Sequence, residues 1–313
     1  MAAAAAGGAS QAGDAPIRTL RWLGPKADAV AVLTRAPTEC LTLPTDRARR
    51  LSVEVGRAAF RTPLTLGGQA ARAGVTCETC HRSGRTNPDF LFPGVSGAPG
   101  TADVTSSLFS THRGDGIDNP KPIPDLSGPK ARLKIPQAPE AHALEPFIHG
   151  LVTEEFDGPE PAAAVLQGLA DYVRALSPEA CPKAASVPVT MAGLMDDAWR
   201  ALAAAGALMD QGDRPAAAAL IRAARARLFL IDERYAGPGL AADRERLRAA
   251  DRALGQIAEA VANGAPDAGA RLSAWRAQSP VLLDALARDE PRSLFNPRRL
   301  AAALQRRLPA KAS

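Results

Sequence analysis

Between residues 82 and 161, proline and glycine recur so often that no long helix can form. Phe92-Pro93-Gly94, Ala98-Pro99-Gly100 and Asn119-Pro120-Lys121-Pro122-Ile123-Pro124 each interrupt the chain. Proline lacks the backbone donor a helix needs and clashes with the preceding turn. This stretch is therefore mostly loop around a few short helices. Apolar periodicity resumes on either side of it and within its second half. Asp46 to Phe60 predicts a helix with Leu51, Val55 and Ala58-Ala59 on one face and Thr45 or Asp46 as its cap. Leu144 to Glu155 predicts a second, with Phe147, Ile148 and Leu151 inward. Pro161 to Leu176 predicts a third, with Pro161 in its first turn and Val165, Leu169, Tyr172-Val173 and Leu176 as its apolar stripe.

After about residue 186 the composition turns to Ala, Leu and Arg. Helices are expected near 190–211, 214–235, 240–262, 268–287 and 297–307, separated by Gly212-Asp213, Ala236-Gly237-Pro238-Gly239 and Asn263-Gly264-Ala265-Pro266. Leu247, Ala250, Leu254, Ile257 and Val261 are spaced 3, 4, 3, 4, the seam of a bundle. Short connections make that bundle antiparallel. Aromatics are only 4% of the 313 residues, so Leu, Val and Ala must do the packing, which favours helices over a sandwich or barrel. The length suits about two domains. The expected divisions are an N-terminal extension over 1–40, a loop-rich helical domain over 41–183 and the bundle over 188–313.

The net charge is +5, and all of it lies in residues 191–313, which hold 19 Lys and Arg against 14 Asp and Glu. The acids interleave with the arginines, as in Asp243-Arg244-Glu245-Arg246. That pattern reads as a solvated helix face rather than a phosphate-tracking stripe, so nucleic acid is not expected as a partner. An acidic redox partner is the better use of the charge. No apolar run approaches the ~18 residues of a membrane-spanning helix. The N-terminus, Met1 to Ala12, is small and bland. It reads as a disordered terminus or as the tail of an export signal ending near Ser10-Gln11-Ala12.

Cys77-Glu78-Thr79-Cys80-His81 carries the chemistry. Cys-x-x-Cys-His is the attachment sequence of a c-type haem. Two thiols one helical turn apart can add to the two vinyl groups, and the adjacent His81 is carried beneath the iron as proximal ligand. A zinc site would need a second local ligand pair, which Cys40 and Cys181 do not form. A redox dithiol would want a βαβ setting, which this region lacks. The sixth iron position is open. No Met occurs between Cys80 and Thr190, and Met195 and Met209 are expected in the bundle core. His142 and His112 are the candidate sixth ligands, His149 is the least free to turn, and a vacant or water-bound iron is the remaining option. Arg113 could approach a haem propionate. Glu154-Glu155-Phe156-Asp157 could supply a peroxidase-like acid and base, or be a solvated helix end.

The residues around this motif resemble the cytochrome c superfamily, and specifically a haem domain of the bacterial di-haem cytochrome c peroxidase and MauG-like family. The resemblance rests on Gly56-Arg57-Ala58-Ala59-Phe60, Cys77 to His81, Ser106-Ser107-Leu108-Phe109, Ile123-Pro124-Asp125-Leu126 and Leu169 to Leu176, and covers about residues 46–180. It implies an all-α chain: a cytochrome c-like haem domain with long loops, followed by the antiparallel bundle. Only one haem motif is present, so the resemblance implies the fold and one covalent haem c more than peroxidase activity. Covalent haem attachment places the chain in the periplasm or otherwise outside the cytoplasm, where a Cys40–Cys181 disulfide is expected, the alternative being two buried free thiols. The function expected is electron transfer with a redox partner protein. The alternatives are a peroxidase-like or MauG-like enzyme, or a haem-based sensor, with an open distal site.

Overall fold

The computed structural model describes residues 17–306. A 3-10 turn at Arg18–Trp22 leads into α1 (Ala29–Thr34), β1 (Arg35–Pro37), α2 (Arg47–Phe60), α3 (Gly68–Ala73) and the one-turn α4 (Cys77–Cys80). Residues 81–143 hold only short 3-10 turns and a small ladder of β2 (Thr101–Ala102) with β3 (Lys121–Pro122). Then come α5 (Leu144–Gly150), continued as a π turn over Leu151–Glu155, α6 (Ala163–Ala175) and β4 (Ser186–Pro188). The C-terminal third is α7 (Met191–Asp210), α8 (Arg214–Arg234), α9 (Ala241–Ala262), α10 (Ala268–Asp289) and α11 (Pro297–Gln305). The protein is all-α, as expected, and the prolines and glycines of 82–143 suppress regular structure there. Among the described residues no helix is long and apolar enough to cross a membrane. The Ser10-Gln11-Ala12 segment lies outside the described residues.

Helix α2 begins where its cap allows: the Asp46 carboxylate accepts from the Arg49 N–H at 2.8 Å. Its buried face is Val53, Gly56 and Phe60 with Val55 and Ala59, whereas Leu51 and Ala58 are only half-buried. The reason is the partner. Helix α2 crosses α6 backbone to backbone at Gly56 and Gly168, and a Cβ on Gly56 would fall 1.8 Å from the Gly168 carbonyl oxygen. The crossing selects the face that carries the glycine. Helix α6 starts at Ala163, so Pro161 precedes it, and its Val165, Leu169, Tyr172 and Val173 are buried as expected. In the element before it, Leu144 and Val152 face the core, while Phe147 is 38% exposed and Leu151 half-buried. The change from α to π geometry at residue 151 rotates the second half of that helix relative to the first.

The bundle follows its sequence closely. Thr190 caps α7 and Asp213 caps α8. Helices α7 to α10 pack each on the next, and α10 returns to α7. Leu247, Leu254, Ile257 and Val261 form the buried seam of α9, with Ala250 half-buried, and Met195 is fully buried in α7. The charged run at the start of α9 differs from expectation: Asp243 is buried and pairs with Arg246, and Arg244 reaches Asp232 on α8.

Helix α2 also packs on α7 and α8, and one apolar core runs from Val53 and Tyr172 to Leu220 and Leu286. Residues 17–40 are built into both parts. Strand β1 pairs antiparallel with β4, and Leu33 of α1 meets Leu300 of α11. Cys40 and Cys181 form a disulfide across a separation of 141 residues. A loop that long stabilises by about 5 kcal/mol in the chain-entropy model.

The glycine crossing gives a direct test. Gly56→Ala forces two backbones apart and should cost about 3 kcal/mol or prevent folding. Gly206→Ala, in α7 with nothing within 4 Å of its added Cβ, should be neutral or stabilise by up to about 1 kcal/mol. Urea unfolding of the oxidised protein reads both.

Candidate functional site

Helix α4 is set by a capping box. The Thr76 hydroxyl accepts from the Thr79 N–H at 3.1 Å, and the Thr79 hydroxyl accepts from the Thr76 N–H at 3.0 Å. One turn of helix then puts Cys77 and Cys80, three residues apart, on the same side. The His81 N–H closes the turn on the Cys77 carbonyl at 2.8 Å. Ser83 and Gly84 adopt positive φ, which reverses the chain immediately after the histidine. Asn87 ties the returning strand down, its side chain donating to the Thr79 carbonyl at 2.8 Å and its N–H to the Cys80 carbonyl at 3.1 Å.

His81 is oriented by Pro124. Its Nδ1 lies 3.0 Å from the Pro124 carbonyl oxygen, which can only accept, so Nδ1 carries the proton and Nε2 keeps its lone pair. The Thr86 hydroxyl holds the neighbouring Ile123 carbonyl at 2.6 Å, and the Leu126 N–H reaches Gly84. Burial lowers the His81 pKa to about 4, opposed by the Pro124 hydrogen bond and by Asp125. Burial likewise pushes the Cys77 and Cys80 thiols up to about 12. All three groups are neutral near pH 7, and each keeps some accessible surface.

The side chains around these three groups are apolar. The Phe60 ring lies 6.4 Å from the His81 ring and 5.0 Å from Tyr172. Phe92, Phe109 and Phe156 stack in series, in a cluster with Phe90, Val95 and Val152 that touches Cys77, Cys80 and Ile148. Cys77 also touches the main core. Two neutral thiols and one imidazole thus lie among apolar side chains. Among the described residues no three His, Cys, Asp or Glu side chains converge as a metal-ion cage.

The other expected residues are dispersed. His112 is 64% exposed and 3.9 Å from Asp157. His142 is exposed and left-handed at the end of a 3-10 turn, ahead of α5 rather than opening it. His149 bonds Glu160 at 2.8 Å. Arg113 is engaged by Glu154. Glu155, at the end of the π turn, has a buried Oε2 with no hydrogen-bond partner, and burial raises its pKa. It is therefore not the solvated helix end that its polar neighbours suggested.

Sequence reading missed a buried ion network behind α4. Glu78, between the two cysteines, lies 3.2 Å from Arg61 Nε and 3.4 Å from Arg227 Nη1 of α8. Arg61 also donates to Glu39 at 2.8 Å and to Asp197 of α7 at 2.9 Å. Glu39 further accepts from Arg57 and from the Tyr172 hydroxyl at 2.7 Å. The partners are up to 149 residues apart in the chain, so no local spacing could have revealed them. Comparison with known proteins returns no match to a family model, a curated protein or a solved structure.

Burial opposes ionisation of Glu39 and Asp197, but the charge of Arg61, with Arg57 for Glu39 and Arg227 for Asp197, outweighs it and holds both carboxyls below their ordinary range. Folded pKa values below the unfolded ones stabilise the fold above the ordinary carboxylate pKa. That stability is lost as pH falls through the depressed values. Arg61→Met should cost about 3–5 kcal/mol at pH 7, by leaving buried carboxylates uncompensated. It should also flatten the fall in stability below about pH 4.5. Urea titrations from pH 7 to pH 3 on both proteins compare the two slopes.

Proposed function

We propose that the chain is a single-haem c-type cytochrome that transfers electrons outside the cytoplasm. One observation carries this reading: Cys77 and Cys80 share one face of a one-turn helix, next to an imidazole whose Nδ1 is fixed by Pro124 and whose Nε2 is free. Each thiol can add across a vinyl double bond to give a thioether, with no change of oxidation state. His81 can offer Nε2 to the iron, and its Pro124 hydrogen bond strengthens it as a donor. Bound haem would supply a one-electron Fe(III)/Fe(II) couple. The chain's part is to hold that group, exclude water with Phe60, Phe109 and Phe156, and fix the ligand ring.

The surrounding architecture supports a cytochrome c-like domain. A helix before the motif crosses a helix after it at Gly56 and Gly168, with long loops between them. The disulfide is compatible with an oxidising compartment. The redox partner would be acidic, in keeping with the basic bundle.

A haem enzyme of the peroxidase or MauG-like kind is the second reading, and Glu155 favours it. A carboxyl with raised pKa and an unsatisfied oxygen, on a π turn whose Val152 belongs to the apolar cluster touching Cys77 and Cys80, is available to hold or move a proton.

Spectroscopy of the matured protein tests both readings. Haem should resist extraction by acidified acetone, and Cys77→Ser or Cys80→Ser should each weaken that retention. Haem-free protein under maturation conditions would sink the cytochrome assignment. A low-spin spectrum indifferent to CO makes the chain a carrier. A spectrum that shifts with CO, with peroxide turnover falling about 100-fold in Glu155→Gln, makes it an enzyme.

A further inference from the structure

A second concave site lies on the far side of α4 from the thiols, between the 76–87 segment, the Arg18–Trp22 turn and α8. It encloses about 700 Å³, within the range of small-molecule sites. We propose that this cleft binds an amphipathic organic anion: an oxyanion head, such as a carboxylate, on an apolar body. The inference does not rest on the haem reading.

Charge argues for the head group. Nine arginines line the cleft against five carboxyl groups. At one end the charges are matched, with Arg57, Arg61 and Arg227 paired to Glu39, Glu78 and Asp197. Further along, Arg225 is matched by Asp251. Arg200 shares Asp197 and Arg18 faces Glu233, so among the described residues three guanidinium groups remain without a carboxylate within 4 Å. Arg82 donates only to the main-chain carbonyls of Val32 and Arg35. Arg234 donates only to those of Leu33 and Leu294. Arg222 makes no ion pair among the described residues while lining the cleft. Carbonyl oxygens satisfy N–H groups without cancelling the charge. Burial, with Arg82 nearby as a like charge, lowers the Arg234 pKa to about 10 despite Glu233. Glu233 is engaged by Arg18: its Oε2 accepts from the Arg18 N–H at 3.4 Å, its Oε1 lies 3.5 Å from Arg18 Nε, and burial raises its pKa to about 7.

Apolar surface argues for the body. Among the described residues seven large hydrophobic side chains are exposed, and three of them, Leu64, Val187 and Phe229, line this one cleft. Trp22, Leu194 and Leu230 complete its apolar wall. Phe229 is held in place by Arg18, whose guanidinium stacks 3.9 Å from the ring centroid. An inorganic anion would leave these surfaces wet, and a neutral apolar ligand would leave the three arginines unmatched. A ligand with both parts satisfies both.

Titration calorimetry tests this with four probes: 2-naphthoate, octanoate, inorganic phosphate and a tetraglutamate peptide. Either or both of the first two should saturate a single site, and phosphate should not compete. Arg222→Gln should weaken binding about tenfold or more, the loss of one charge-assisted contact. Arg222→Lys should retain most of the affinity, and Phe229→Ala should weaken it several-fold. Arg298→Gln on α11, outside the cleft, should change nothing. Unchanged circular dichroism and melting temperature establish that each variant is folded. The proposal is overturned if neither organic anion saturates by roughly 10 mM, or if affinity ignores both Arg222→Gln and Phe229→Ala. It is also overturned if phosphate or tetraglutamate binds as well as the amphipathic probes, because the cleft would then be reading charge alone. None of these results depends on whether haem is attached.

Discussion

A guanidinium group cannot be buried alone. Arg61 is 7% exposed at the centre of the molecule, and removing its charge from water requires carboxylates and acceptors around it. They come from three places in the chain, Glu39 ahead of α2, Glu78 in α4 and Asp197 in α7, and Arg227 of α8 adds a hydrogen bond to the Arg61 carbonyl. Each partner lies on a different element, so the network can form only when all of them are docked. It fixes where the short α4 sits relative to the bundle, and therefore which way the two thiols and His81 face.

The same arrangement separates two kinds of surface on one short helix. Glu78 points into the ion network, while Cys77 and Cys80 touch the aromatic cluster of Phe90, Phe109 and Phe156. The apolar side keeps the thiols and the imidazole neutral. The charged side makes the bundle an integral wall of the molecule rather than a tethered appendage. Residues 17–40 reinforce this role: β1 pairs with β4, and α1 ends on carbonyls held by Arg82 and Arg234, from opposite parts of the chain. The expected three-part division describes the order of segments, while one apolar core joins the 41–183 and 188–313 segments without a break.

Local features were readable because they are short-range. The Asp46 cap acts over three residues, and the α9 seam repeats within one helix. Cys77 to His81 encodes its own geometry, because an α-helical turn must bring residues three apart together. Errors appeared where a face was chosen by a partner. The inward side of α2 follows from Gly56 meeting Gly168, and Phe147 is exposed because the helix changes pitch at 151. Asp243 is buried although its neighbours look solvated, because Arg246 lies within reach to compensate it.

The sequence by itself determined the all-α class, the helix spans, the loop character of 82–143, the Cys77–Cys80–His81 constellation and the residues able to form the disulfide. Each depends on periodicity, capping, proline chemistry or cysteine inventory, which are properties of neighbouring residues. Only the tertiary structure decided that Pro124 fixes the His81 tautomer, that Arg61 gathers three carboxylates, that Glu155 carries an unsatisfied buried oxygen, and that arginines from opposite ends of the chain line one cleft. Those facts depend on desolvation and on contacts between distant segments, and neither exists until the chain has packed.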